Sequence, residues 1–216
     1  MVRRLILSVA VAAGIIVPAA TALSADDHRW PRSRPVRLAA AEILVMAGDA
    51  RRLTEENLPP LRQRGVRDRL LGSMSGLPLL LRLAGHPAEP GEIESLRAAI
   101  AAENLATLRR NLDALAARVP LDTTGILPPD QRPRARRLAL ALHDGLCAGC
   151  HDGQPPDPDD LLPAEDLFQA AGTMPLREFA ARLMIGVRGD TLTAFAQPLT
   201  DGDLAALLGL YLNGAE

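Results

Sequence analysis

The sequence predicts an all-α fold, a small helical bundle followed by a second group of shorter helices, and three observations carry that prediction. Apolar residues make up 48% of the chain and charged residues 23%, the balance of a chain that folds in water around one or two cores. Flat side chains are scarce, with Trp30, Tyr211, Phe168, Phe179 and Phe195 the full set. The core must therefore be built from Leu, Ala, Val and Ile, a composition that mostly forms helices. Finally, Leu105, Leu108, Leu112, Leu115 and Val119 step by three and four along one helical face, and no segment reads as a β-hairpin or an internal repeat. So few aromatics leave little for base stacking, and no nucleic-acid partner is expected. All 24 basic residues are arginines, which removes lysine from any argument about ligands or Schiff bases.

Residues 1–25 have the layout of a secretory signal peptide. Arg3 and Arg4 precede an uncharged stretch from Leu5 to Ala25, and Ala20-Thr21-Ala22 is a cleavage sequence. The competing reading is an uncleaved anchor, since Leu5 to Leu23 approaches the length of a membrane span; membrane association is expected only then. Either way the remainder is expected in the periplasm, where a Cys-x-x-Cys pair is oxidised, metallated or covalently occupied.

Residues 26–133 read as a helical accessory region. Arg37 to Glu56 has helix-forming composition and stops at Pro59-Pro60, and Leu61 to Leu83 continues with interruptions at Gly72, Gly76 and Pro78. The leucine stripe predicts one helix from near Gly91 to just before Pro120, about 40 Å long at ~1.5 Å per residue. An antiparallel bundle is the economical packing, and proline-rich Leu121 to Arg134 reads as a linker.

Residues 134–216 read as a second domain. Arg134 to Leu146 leads into the cysteines, and Pro155-Pro156-Asp157-Pro158 imposes an extended loop. Ala164 to Ala171 and Leu176 to Ile185 read as short helices. Thr200 and Asp203 resemble a capping box opening a last helix with an apolar face of Leu204, Leu207, Leu208 and Tyr211. Charge divides along the same boundary. Residues 26–137 carry 19 arginines against 14 acids, about +5, and residues 138–216 carry 3 against 12, about −9. Two readings stay open: separate modules with a face for a partner, or two surfaces that complement each other within one molecule.

Cys147-Ala148-Gly149-Cys150-His151 uses both cysteines of the chain. This spacing reads as c-type haem attachment. Two thiols three positions apart can each add to one vinyl group of haem, and the adjacent His151 is then held where its imidazole becomes the proximal iron ligand. Small Ala148 and Gly149 let the backbone lie close to the porphyrin edge. Three rivals explain less. Zinc would need about four ligands, with only scattered His28, His86 and His143 to complete the set. A thioredoxin-like pair calls for a βαβ context that is not visible, and a structural disulfide does not account for His151.

A helix leading to this motif, a proline-containing loop, two short helices and a C-terminal helix ending in Leu-Tyr-Leu resemble a class I c-type cytochrome domain. Phe179 to Asp190, Pro198 to Asp203 and Leu207 to Leu212 are similar to the distal half of such domains, the bacterial di-haem members in particular. The resemblance covers about residues 134–214. It implies one covalent haem c on Cys147 and Cys150 with His151 proximal. It also implies that the helix before Cys147 crosses the helix containing Leu207 and Tyr211. The family's sixth ligand, a methionine in the loop before the last helix, is missing: Gly189 to Pro198 has none, and Leu192 or a neighbour stands in its place. Met184 is the first candidate for that position, although its helical spacing beside Leu183 and Ile185 also suits a core residue. Met174 in a local Gly-Thr-Met-Pro, His86 between Gly85 and Pro87, and a vacant sixth site are the others. His143, on the helix entering the motif, reads as a surface or propionate-side residue, and Arg188 as a candidate partner of a haem propionate. Asp157, Asp159 and Asp160 read as a solvated acidic loop or a docking patch for a basic partner.

The expected function is that of an exported mono-haem cytochrome passing single electrons between periplasmic redox partners. No acid–base or nucleophile constellation points to an enzyme in its own right. Two alternatives are a pentacoordinate haem protein binding small gases or peroxide, as sensor or peroxidase, and a haem subunit docking onto a larger periplasmic oxidoreductase.

Overall fold

The computed structural model describes residues 34–152, 164–186 and 199–214. The signal-peptide segment, the loop with Asp157, Asp159 and Asp160, Arg188, and the loop Gly189 to Pro198 with Leu192 lie outside the described residues. Among the described residues every regular element is a helix, and the fold is all-α. In order they are α1 (Arg34–Glu55), α2 (Pro60–Leu83), α3 (Glu92–Ala101), α4 (Leu105–Arg118), α5 (Pro133–Leu146), α6 (Ala148–His151), α7 (Leu167–Thr173), α8 (Leu176–Ile185) and α9 (Asp201–Asn213).

Helix α1 is the hub, packing against α2 and α4 of its own region and against α8 of the C-terminal region. Its buried residues, among them Ala39, Ala40, Ala41, Ile43, Val45, Met46 and Ala50, cover most of its circumference, as expected of a helix enclosed on several sides. The α2 helix starts with Pro60 in its first turn, where the missing N–H costs nothing. It then runs through Gly72, Gly76 and Pro78 without the interruptions expected there. Packing decides this. Burying Val66, Leu70, Met74, Leu77 and Leu81 at ~1.5–3 kcal/mol each outweighs about 1 kcal/mol per glycine and about 3 for the proline.

The single long helix expected from Gly91 to Pro120 is instead two, α3 and α4, packed on each other. Glu103 takes a left-handed conformation at φ 54°, and Asn104 caps α4, its side chain accepting the Thr107 N–H at 3.1 Å. That cap satisfies a donor the helix would otherwise leave unpaired. The leucine stripe belongs to α4, where Leu108, Leu112 and Leu115 are buried, while α3 folds back with Leu96, Ala99 and Ile100.

The expected linker is a packed segment. Ile126 is fully buried and Leu121 nearly so. Arg37, only 1% exposed, binds the segment from α1: its Nε donates to the Asp122 carbonyl at 3.1 Å, and its Nη1 donates to both Asp201 oxygens at 2.8 and 3.1 Å. The α9 helix opens with the capping box read from the sequence, Thr200 N–H to Asp203 Oδ2 at 2.8 Å and Asp203 N–H to Thr200 Oγ1 at 3.2 Å. It buries every residue from Leu204 to Tyr211 and packs along α5. Buried apolar residues from Ala40 in α1 to Tyr211 in α9 form one contiguous cluster.

Gly209 is where α9 meets the segment entering α5. A Cβ there would lie 2.2 Å from the Asp130 carbonyl oxygen, and the Asp130 N–H already donates to Ala205 O at 2.9 Å. Alanine normally stabilises a helix interior by about 1 kcal/mol over glycine, but overpacking against backbone costs about 1–3 kcal/mol. Gly209→Ala is therefore expected to lower the thermal midpoint by several degrees, at ~2–4 °C per kcal/mol. Gly72→Ala, on the exposed side of α2 with nothing within 4 Å of its Cβ, is expected to raise it. Calorimetry of both variants checks the pair, and a Gly209→Ala protein as stable as the parent would refute the close approach.

Candidate functional site

The Cys-x-x-Cys-His segment continues the last turn of α5. Cys147 N–H donates to His143 O at 2.8 Å, and Cys150 and His151 N–H donate to Cys147 O at 3.1 and 3.0 Å. The motif is thus one helical turn, α6, which puts residues three apart on the same side. Cys147 is half-buried, Cys150 is exposed, and neither is in a disulfide.

The His151 imidazole is held from the other side. Its Nδ1 lies 2.5 Å from the carbonyl oxygen of Glu165, which can only accept, so Nδ1 carries the proton and Nε2 keeps the lone pair. Asp166 fixes the backbone at this point by capping α7, its carboxylate accepting the Phe168 and Gln169 N–H groups at 2.8 and 3.1 Å. The Glu165 side chain is anchored in turn by α1. Both terminal nitrogens of Arg52 donate to its two oxygens, one at 3.2 Å, and Arg62 of α2 is 3.6 Å away. Burial pushes the Glu165 carboxyl up, but the Arg52 hydrogen bonds and charge, with Arg62 and Arg182 beyond, hold it below its ordinary value.

His143 is not the surface residue of one expectation. It is buried at 4% exposure in the angle between α5 and α9. Its Nε2 lies 2.9 Å from Asp152 Oδ2 and its Nδ1 2.9 Å from the Tyr211 hydroxyl. A carboxylate only accepts, so in the neutral ring Nε2–H donates to Asp152 and the Tyr211 hydroxyl donates to Nδ1. Phe168 and Tyr211 stand edge-on to the ring at 5.4 and 5.5 Å, in the range aromatic pairs prefer. Burial raises the Tyr211 phenol well above its ordinary value, and a hydrogen bond with the Cys147 side chain and the Asp152 charge add to it. Tyr211 therefore links α9 to the ring of His143 on α5.

The other candidates are dispersed. Met184 is wholly enclosed in the apolar core, and Met174, the residue ending α7, is packed against its edge. His86 is exposed just beyond the end of α2. Arg62, near the start of that helix, is the residue beside Glu165. The two ends are about 33 Å apart at ~1.5 Å per residue, so His86 lies far from His151. Among the described residues no group of three or more His, Cys, Asp or Glu side chains is placed to hold a metal ion. The chemistry of the donors present, two free thiols on one turn beside an imidazole with its Nε2 lone pair available, suits covalent haem. Sequence reasoning missed Arg52, Glu165 and Asp152. No local pattern marks them, because each acts across the fold. Tyr211 was assigned to an apolar face, but its hydroxyl has the polar role; as the one tyrosine of the chain it carried the only hint.

Comparison of the chain with protein-family models, with curated proteins and with solved structures finds no match.

Tyr211 makes the site testable without any ligand. Its folded-state proton affinity is raised, so above the unfolded value of about 10 the unfolded chain loses a proton that the folded chain keeps. Stability then falls as pH rises beyond that value. Tyrosinate absorbance should stay absent at pH 10 to 11 in the native protein and appear together with loss of helical circular dichroism. Half-ionisation near pH 10 with the fold intact would contradict the burial. Tyr211→Phe leaves His143 Nδ1 unpaired and is expected to cost about 1–3 kcal/mol.

Proposed function

We propose that the protein is an exported mono-haem c-type cytochrome that carries single electrons between redox partners in the periplasm. The observation that carries the reading is the donor set: Cys147 and Cys150 on one helical turn, with His151 oriented through Nδ1 by the Glu165 carbonyl, which in the neutral ring leaves the lone pair on Nε2. The packing of α5 along α9 supports it, since the resemblance implies that pairing. Haem bound there supplies a one-electron iron couple. The chain's own part is to hold it. Each thiol adds across a vinyl double bond, sulfur to one carbon and hydrogen to the other, so attachment needs no oxidant. His151 is oriented by the Glu165 carbonyl, and Tyr211 ties α9 to His143, whose carbonyl accepts the Cys147 N–H.

The sixth position separates carrier from ligand-binding protein. Met184 is the candidate for a low-spin carrier. A second reading, an open site taking small gases or peroxide, is favoured by the commitments of the other side chains: Met184 is enclosed in the core, both His143 nitrogens are engaged, and His86 is remote.

The test is to express the full chain with c-type haem maturation machinery. A mass increase of one haem that survives denaturation is expected for the parent, and loss of covalent haem for Cys147→Ser with Cys150→Ser. A parent chain that matures haem-free would refute the reading. In the matured protein, the long-wavelength band of iron–thioether ligation in the oxidised spectrum, lost in Met184→Leu, supports the carrier. A reduced spectrum that shifts on adding CO supports the open site.

A further inference from the structure

The accessory helices have no haem motif of their own, yet α1 reaches the site through a single chain of contacts. Arg52, only 6% exposed, projects from the last turn of α1. Its Nε donates to Glu56 Oε2 at 3.0 Å, which orients the guanidinium, and both terminal nitrogens donate to the Glu165 carboxylate. The carbonyl of the same residue, Glu165, accepts from His151 Nδ1. Backbone carbonyl and side chain leave the same Cα, so a bidentate grip on the carboxylate restrains where the carbonyl points. Among the described residues the carboxylate has one further ion-pair partner, Arg62, at 3.6 Å.

We propose that the N-terminal region serves the site as a clamp: Arg52, by gripping the Glu165 carboxylate, fixes the Glu165 carbonyl on His151 Nδ1 and so sets the orientation and donor strength of the proximal ligand. The inference rests on the haem reading above. Arg52 and Glu165 are positioning residues, since neither touches the iron. The sign of their effect follows from the hydrogen bond. A well-held acceptor on Nδ1–H makes the imidazole a stronger donor to the metal, and a stronger donor favours the oxidised iron. Loosening the acceptor is therefore expected to raise the reduction potential.

Two conservative variants distinguish a clamp from a plain charge effect. Arg52→Lys keeps the positive charge but loses the planar two-point grip; Glu165→Gln keeps the shape but loses the negative charge. A clamp predicts that both raise the potential of the matured full-length protein. It further predicts that the double variant moves no further than the larger single shift, because the two changes break one device. A charge effect alone predicts a rise for Glu165→Gln and no change for Arg52→Lys, and that result would overturn the clamp. A second readout needs no cofactor: in the haem-free chain, nitrogen NMR of the His151 ring should show the Nδ1–H tautomer in the parent and a mixture of tautomers in Arg52→Lys. An unchanged tautomer would also overturn it. Circular dichroism confirms that each variant is folded. The two failures remain separable. A parent chain that never acquires covalent haem overturns the haem reading and the inference with it, whereas haem-bearing Arg52→Lys with parental potential and ring tautomer overturns the inference alone.

Discussion

Asp49 and Glu178 are carboxylates enclosed in a helical core, with side chains 1% and 5% exposed, and charges so placed are tolerable only when paired and hydrogen-bonded. Asp49 of α1 accepts from Arg69 of α2 and, at 2.8 Å, from Arg182 of α8. Glu178 of α8 accepts from Arg182 at 2.7 Å and from Arg51 of α1 at 3.3 Å. Three helices therefore converge on two acids. Room for the second acid comes from Gly48, where a Cβ would lie 2.2 Å from a Glu178 oxygen. The network is not complete: Asp49 Oδ2, Arg51 Nε and Arg69 Nε are buried without a hydrogen-bond partner among the described residues. Such a cluster adds little net stability over an apolar equivalent, yet removing one member strands the others at about 3–5 kcal/mol. Its effect is on register. Sliding α8 along α1 by one turn would separate Asp49 from Arg182 and Glu178 from Arg51 together.

That seam also accounts for the lopsided charge of the chain. Arg37 meets Asp201, Arg51 meets Glu178, and Arg52 and Arg62 meet Glu165, each an arginine of the basic region on an acid of the acidic one. The polarity that reads from sequence as two modules or as complementary surfaces is, at these contacts, turned inward. Arginine suits the seam better than lysine would: Arg37 spans a backbone carbonyl and a carboxylate with one planar group, and Arg52 closes on both oxygens of Glu165.

Features set by neighbours in the chain were legible in the sequence. The Thr200–Asp203 capping box, the α8 boundaries and the buried leucines of α4 all rest on local spacing, and the structure has them. Features set by distant partners were not. The break at Asn104 needed a cap that looked like one more polar residue in a helical run. The continuity of α2 through Pro78 needed α1 beneath it, and the packing of the proline-rich segment involves Arg37, 85 residues away from the carbonyl it holds. At the site the same divide holds. The five-residue motif announces its thiols and its imidazole, while the groups that orient them, Glu165, Arg52 and Tyr211, come from three other elements.

The packing of α5 on α9 shows why orientation and folding are not separate problems here. His143 lies between the two helices, and its own carbonyl receives the Cys147 N–H that starts the Cys-x-x-Cys-His turn. Tyr211 bonds the ring of that histidine. Asp152, one residue past the motif, bonds the opposite nitrogen of the same ring. One buried histidine thus holds both ends of the Cys-x-x-Cys-His turn, the first through its carbonyl and the second through its ring. On the far side, the hydrogen bond to Glu165 selects the tautomer of His151. Thiol spacing, ring tautomer and turn geometry are then all fixed by the protein itself, and a ligand entering such a site meets donors whose ordering entropy has already been spent in folding.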